Sequence, residues 1–142
     1  MAAYLDTSVL VALFFREDAS AAVRKYVRRE SELWVSRWTL AEFSSAAAFK
    51  HRTGQADEAT VVQARARMRA VLDDGGRQLV EVEPRDFERA AALCEAHASG
   101  LRPSDALHAA LAQRLKFRLI TADRAQAAGC AFHGIDAELI AV

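Results

Sequence analysis

Apolar positions along this 142-residue chain fall into short runs separated by longer segments of helical periodicity. The runs Ala3-Tyr4-Leu5, Leu33-Trp34-Val35, Leu79-Val80-Glu81-Val82 and Arg118-Leu119-Ile120-Thr121 predict strands, with a weaker fifth at Cys130-Ala131-Phe132. Between them, Asp18 is positioned to cap a helix with the apolar face Ala19, Val23 and Tyr26. A second helical run extends from Thr39 to near Gly54, and a third from Asp57 carries Val61, Ala64, Met68 and Leu72 on one side. Helices after Pro84 and from Ser104 follow, the latter with Leu107, Leu111 and Leu115 at helical spacing. The stripe Phe87, Ala91, Cys94, Ala98 predicts a core face in the former. Gly75-Gly76 is the clearest break, and with no repeat, low-complexity tract or linker the pattern predicts one domain over residues 1–142. Strands alternating with helices predict an α/β fold with a parallel sheet covered on both faces, whose ligands bind beyond the carboxyl ends of the strands.

That expectation gives meaning to the stretch YLDTSVLVALFF, where Asp6, Thr7 and Ser8 interrupt an apolar run as strand passes into helix. Helix capping explains such residues one at a time, and it serves Ser104 and Asp123 equally well. Four carboxylates, however, lead to the same crevice. Asp6 ends the first strand, and Asp123 follows the strand RLIT after one alanine, so parallel pairing brings both to one edge. Asp105 lies in the first turn of a helix. Glu42 lies in a helix so apolar that Arg37 is the only other charge between residues 34 and 49. A carboxylate in such a setting takes up a proton, a cationic partner or a metal. Clustered carboxylates repel, and an oxygen-only ligand set selects a hard divalent ion such as Mg²⁺ or Mn²⁺.

Composition changes this picture in two ways. Nineteen Lys and Arg cancel nineteen Asp and Glu, which counts against a nucleic-acid partner unless the acids are concentrated at one site. Cys94 and Cys130 are distant and lack a CxxC neighbour, so neither a zinc site nor a disulfide framework is predicted. No apolar stretch reaches membrane-spanning length and no basic leader precedes the first run, so the expected location is the cytoplasm.

The segments YLDTSVLVALF, TLAEFSSA, PSDALHAALA and LITADRAQAAGC, in that order and spacing, resemble those of PIN-domain ribonucleases, in particular the VapC-type toxins of toxin–antitoxin pairs. The resemblance covers essentially the whole chain. It implies a three-layer α/β/α sandwich and an Mg²⁺- or Mn²⁺-dependent endoribonuclease. Its catalytic acids would be Asp6, Glu42, Asp105 and Asp123, with Asp6, Asp105 and Asp123 holding metal and Ser8 and Thr121 as auxiliary hydroxyls. It also implies an RNA substrate, a homodimer and a small antitoxin partner. A divalent ion would acidify a bound water, with Glu42 or a second ion positioning it. Ser8 and Thr121 fit orienting roles better than nucleophilic ones.

Arg16, Arg37, Lys50, Arg52 and Arg102 lie near the motif segments and are candidates for RNA phosphates. His108, three residues after Asp105, faces the same side of its helix and fits packing or support of a ligand. His51, His97 and His133 form no metal pattern, Trp34 and Trp38 fit core or dimer packing, and the arginines at 65, 67 and 69 read as solvated. A haloacid-dehalogenase-type phosphotransferase would need an Asp where Ser8 stands. A receiver domain would need an acid where Thr7 stands. The remaining alternatives are a catalytically silent binding module of the same fold and a nuclease outside any toxin–antitoxin pair.

Overall fold

The computed structural model describes residues 2–73 and 78–140. The Gly75-Gly76 break lies outside them. Five strands, β1 (Ala3–Leu5), β2 (Leu33–Ser36), β3 (Leu79–Val80), β4 (Arg118–Thr121) and β5 (Ala137–Leu139), form one sheet in the order β3-β2-β1-β4-β5. Every pairing is parallel. The helices are α1 (Thr7–Phe14), α2 (Ser20–Arg29), α3 (Trp38–Arg52), α4 (Glu58–Asp73), α5 (Pro84–Glu95), α6 (Pro103–Leu115) and α7 (Arg124–Phe132). The result is the predicted α/β/α sandwich.

Strand alternation divides the core. Ala3, Leu5, Val35 and Ile120 face a cluster with Val9, Val23, Phe43 and Met68 from α1 to α4. Tyr4, Val80 and Leu119 face another with Leu93, Leu107, Leu111 and Cys130 from α5 to α7. Strands buried on both sides need apolar residues at every position, which is why they read as continuous runs. Burial pushes the Cys130 thiol up to about 12, and both cysteines are free. Trp34 packs on Phe117 with ring centroids 5.4 Å apart.

Four expectations are corrected. Cys130, Ala131 and Phe132 end α7, and the fifth strand is Ala137–Leu139. The third strand stops at Val80, short of Glu81 and Val82. Asp18 does not cap α2: the helix starts at Ser20, whose Oγ accepts the Glu17 N–H at 2.8 Å. The predicted face of α5 is rotated, with Phe87 54% exposed, Cys94 only half-buried, and Asp86, Ala90 and Leu93 turned inward.

The buried Asp86 is what fixes α6 against α5. Its carboxylate accepts Arg114 Nε at 2.7 Å and Nη2 at 3.0 Å, and also the Glu83 N–H at 2.7 Å in a capping box. Removing one member of a buried ion pair leaves its partner uncompensated. Asp86→Ala should therefore lower unfolding free energy by about 3 kcal/mol, the low end of the usual range because Arg114 keeps some solvent contact. Urea denaturation checks this, and a loss below about 1 kcal/mol would place the pair among weak surface bridges.

Candidate active site

The order of the sheet reverses between β1 and β4: the chain builds outward from β1 through β2 to β3, then returns to add β4 and β5 on the other side. Crevices form at such reversals. Pairing of Leu5 with Ile120 carries the chain ends of β1 and β4 to the same edge, and the Asp6 N–H donates to Ile120 O at 3.1 Å. A cleft of about 570 Å³ opens there, and Asp6, Ser8, Glu42, Asp105, His108 and Asp123 line it. All four acids singled out from the sequence are thus brought together. Glu17 and Asp18 line it too; sequence reading missed them because they sit in the α1–α2 loop, outside any motif.

Each carboxylate is held locally. Asp6 is the N-cap of α1, 4% exposed, and accepts the Ser8 hydroxyl at 2.5 Å. Ser8 Oγ in turn accepts the Ala122 N–H at 2.9 Å and lies 3.2 Å from Thr121 Oγ1. Thr121 Oγ1 accepts the Asp123 N–H at 3.0 Å. The two hydroxyls therefore stitch the end of β1 to the end of β4. Asp123 caps α7 through the Ala125 N–H at 2.8 Å. Asp105 rides the first turn of α6, and buried Gln126 of α7 donates to its carbonyl at 3.0 Å.

Glu42 is the exception. Its Oε1 accepts Thr7 Oγ1 at 2.8 Å and His108 Nε2 at 2.5 Å. His108 Nδ1 lies 2.6 Å from the Tyr4 hydroxyl, itself 2.8 Å from Ser36 Oγ. His108 is 2% exposed, with Tyr4, Ser36 and Thr39 at 0%, so it supports Glu42 from beneath. Tyr4, Ser36 and Thr39 carried no signal of their own, and Thr7 stood out only as a break in an apolar run, because their partners lie at least 32 residues away.

Electrostatics separates the acids. Burial, above all, raises the Asp6 carboxyl above the usual range, against the His108 ring and the Ser8 and Thr121 hydroxyls. Burial likewise leads in raising Asp105, followed by the charge of Asp123; Arg102 opposes and Asp6 adds to the rise. For Glu42 burial also acts upward, but hydrogen bonding and field from His108, with the Thr7 and Ser104 hydroxyls, carry it below its ordinary value. Glu42 is satisfied by the protein, whereas Asp6 and Asp105 favour taking up a proton or a cation. The cleft offers carboxylate and hydroxyl oxygens, the donor set of Mg²⁺ or Mn²⁺. Among the described residues no three of His, Cys, Asp and Glu close into a cage, so the match is one of donor type and charge.

The basic candidates divide. Lys50 is withdrawn from RNA: it is buried, bonded to Glu17 at 2.6 Å and set over the Phe15 ring. Arg37 is engaged with Glu81 at 3.0 Å. Arg16 is exposed. Arg102 is 80% exposed and 4.0 Å from Asp105, and Arg52 lies over Phe49. Arg52, Arg102, Trp38 and Phe49 line a second groove of about 910 Å³ that shares Val11, Glu17, Glu42 and Ala46 with the first.

Comparison with known proteins bears on this geometry. No curated protein matches the sequence. Among solved structures, VapC20 of Mycobacterium tuberculosis, a toxin that cleaves the sarcin–ricin loop, is 16% identical over 89% of this chain and 94% of that one, with a TM-score of 0.72. VapBC2 of Rickettsia felis, bound to a fragment of its promoter DNA, is 16% identical over 98% of both chains (TM-score 0.64). VapBC-5 of Mycobacterium tuberculosis, a member of the VapBC family of toxin–antitoxin systems, is 24% identical over the full length of both (TM-score 0.63). These share the fold. The model of the PIN domain matches residues 3–130, which include every acid of the cleft, and the chain belongs to the PIN domain family.

Proposed function

We propose that this chain is a divalent-metal-dependent endoribonuclease that acts as the toxin of a toxin–antitoxin pair. The observation that carries the reading is the cleft at the β1–β4 edge, where two carboxyls with raised proton affinity stand with a third acid and a fixed carboxylate. Asp6, Asp105 and Asp123 would hold the ion. When bound, Mg²⁺ or Mn²⁺ supplies an acidified water and positive charge for the phosphoryl oxygens. Glu42, kept ionised, orients the attacking water and accepts its proton. Ser8 and Thr121 hold Asp6 and the Asp123 backbone in place and do not attack phosphorus. Water as nucleophile leaves 5′-phosphate and 3′-hydroxyl ends.

Charge distribution supports an RNA substrate. Six of the 19 acids line the cleft (Asp6, Glu17, Asp18, Glu42, Asp105 and Asp123), leaving 13 against 19 basic residues elsewhere. Arg16, Arg52 and Arg102 remain candidates to meet phosphates, with Phe49 placed for base stacking. The toxin role rests on the structural neighbours, which include a toxin–antitoxin complex of Klebsiella pneumoniae (22% identical, TM-score 0.60). A small antitoxin and a second copy of the chain are the partners this role expects, in the cytoplasm. Among the described residues no helix is long and apolar enough to cross a membrane.

Incubation with total RNA should give cleavage that EDTA abolishes. Asp6→Asn should reduce it by more than the roughly 10–100-fold typical of outer-shell changes at metal sites. Cleavage surviving both treatments, or products ending in 2′,3′-cyclic phosphate, would overturn the mechanism. Expression of the chain alone in bacteria should arrest growth; normal growth of cells making folded protein would remove the toxin role.

Stability gives a check without substrate. A carboxyl whose proton affinity is raised by folding makes the folded state bind more protons, so stability falls as pH rises from the ordinary carboxylate range through the raised value. Metal-free protein should therefore be penalised at neutral pH by Asp6 and Asp105. Mn²⁺ should raise its thermal midpoint, because the ion binds only the folded state. Asp6→Asn should raise the metal-free midpoint at pH 7 and blunt the response to Mn²⁺. A lower midpoint for Asp6→Asn would show that its capping role outweighs the charge penalty.

A further inference from the structure

The hydrogen bonds beneath Glu42 run in one direction, and that direction can be deduced by counting donors. Ser36, Tyr4 and His108 are sealed from solvent, at 0%, 0% and 2% exposure. Ser36 Oγ has the Tyr4 hydroxyl as its sole partner among the described residues. Tyr4 meets Ser36 on one side and His108 Nδ1 on the other. His108 Nε2 meets Glu42 Oε1 at 2.5 Å, with Thr7 Oγ1 at 3.2 Å. Each hydroxyl has one hydrogen to give, and a carboxylate only accepts.

With Nδ1 as a donor, its hydrogen goes to Tyr4, the Tyr4 hydrogen to Ser36, and the Ser36 hydrogen is left in a sealed pocket with no acceptor among the described residues. Such an orphan is the costly arrangement for a polar group. In the opposite direction nothing is wasted. Ser36 donates to Tyr4, Tyr4 donates to Nδ1, and Nε2–H donates to Glu42. Tyr4 keeps its proton throughout, because a phenolic hydroxyl is neutral at neutral pH.

We infer that Ser36, Tyr4 and His108 are positioning residues that lock the imidazole as its Nε2–H tautomer and aim that proton at Glu42, fixing the carboxylate over the cleft. Their side-chain bonds point the other way from a catalytic base: Nε2, the atom facing the site, carries a proton and has nothing to accept. Thr7 Oγ1, 2.8 Å from Glu42 Oε1 and 3.2 Å from Thr39 Oγ1, adds a second donor and completes the clamp. This inference rests on the proposed nuclease role only for its catalytic consequence.

Two measurements test it. In ¹⁵N-detected imidazole spectra of the full chain at neutral pH, His108 should show a protonated Nε2 and an unprotonated Nδ1. Tyr4→Phe should leave Nε2 protonated and move the Nδ1 resonance toward that of an unbonded pyridine-type nitrogen. A proton on Nδ1 in the wild-type protein overturns the inference, whether or not the chain cleaves RNA. In the cleavage assay, His108→Met should lower kcat about 10–100-fold with KM little changed. His108→Gln, which keeps an N–H donor, should recover most of that loss. Equal activity of both variants with wild type overturns the positioning role. Wild-type protein without nuclease activity removes the proposed function but leaves the spectra to decide the tautomer.

Discussion

The pairing of β1 with β4 is the constraint on which everything else depends. These strands lie at the centre of the sheet, sealed by helices on both faces, and three residues of each are in register. Register in a doubly buried sheet is strongly specified, because a slip by one residue would exchange the sets of side chains facing the two cores. Leu5 and Ile120 belong to one cluster and Tyr4 and Leu119 to the other. The same pairing delivers Asp6 and Asp123 to a common edge and lets Ser8 reach Ala122 and Thr121. Hydrophobic burial thereby supplies the free energy that holds mutually repelling carboxylates together.

Those carboxylates do not form a uniform negative nest. Glu42 has its own donors from α1 and α6 and remains an anion without outside help. Asp6 and Asp105 lack comparable compensation: burial raises both, and the charges of Asp123 and Asp6 add to the rise at Asp105. The division follows from position. Glu42 lies above a polar interior of Tyr4, Ser36, Thr39 and His108, whereas Asp6 ends an apolar strand and has hydroxyls and a distant N–H for company. One acid kept ionised by the protein therefore stands beside others whose charge burial disfavours.

Much of this was legible because it is local or periodic. The strands β1, β2 and β4 are short apolar runs, and α4 carries its inward face on Val61, Ala64, Met68 and Leu72. What the sequence concealed depends on partners far along the chain. Asp86 looks like a surface residue until Arg114, 28 residues away, is found beside it; apolarity alone therefore selects the neighbouring stripe of α5. The edge strand β5 is half-buried, carries Glu138 at its centre and pairs only with β4, so it lacks the apolar run that marks a central strand. Cys130-Ala131-Phe132 has that run but belongs to α7, where Cys130 packs inward and Phe132 lies exposed.

The apolar character of α3 shows why Glu42 resists a simple burial argument. Its core contacts come from Thr39, Phe43, Ala47 and Lys50, while Ala41, Ser45 and Phe49 are exposed. The helix therefore has one face in the core and another in solvent, and Glu42 sits at the boundary, lining the cleft with Ala46. A carboxylate wholly inside would be forced toward protonation, and one wholly outside would be free to rotate in solvent. With a side chain 21% exposed and its Oε1 held by two donors, Glu42 keeps its charge and is fixed in direction.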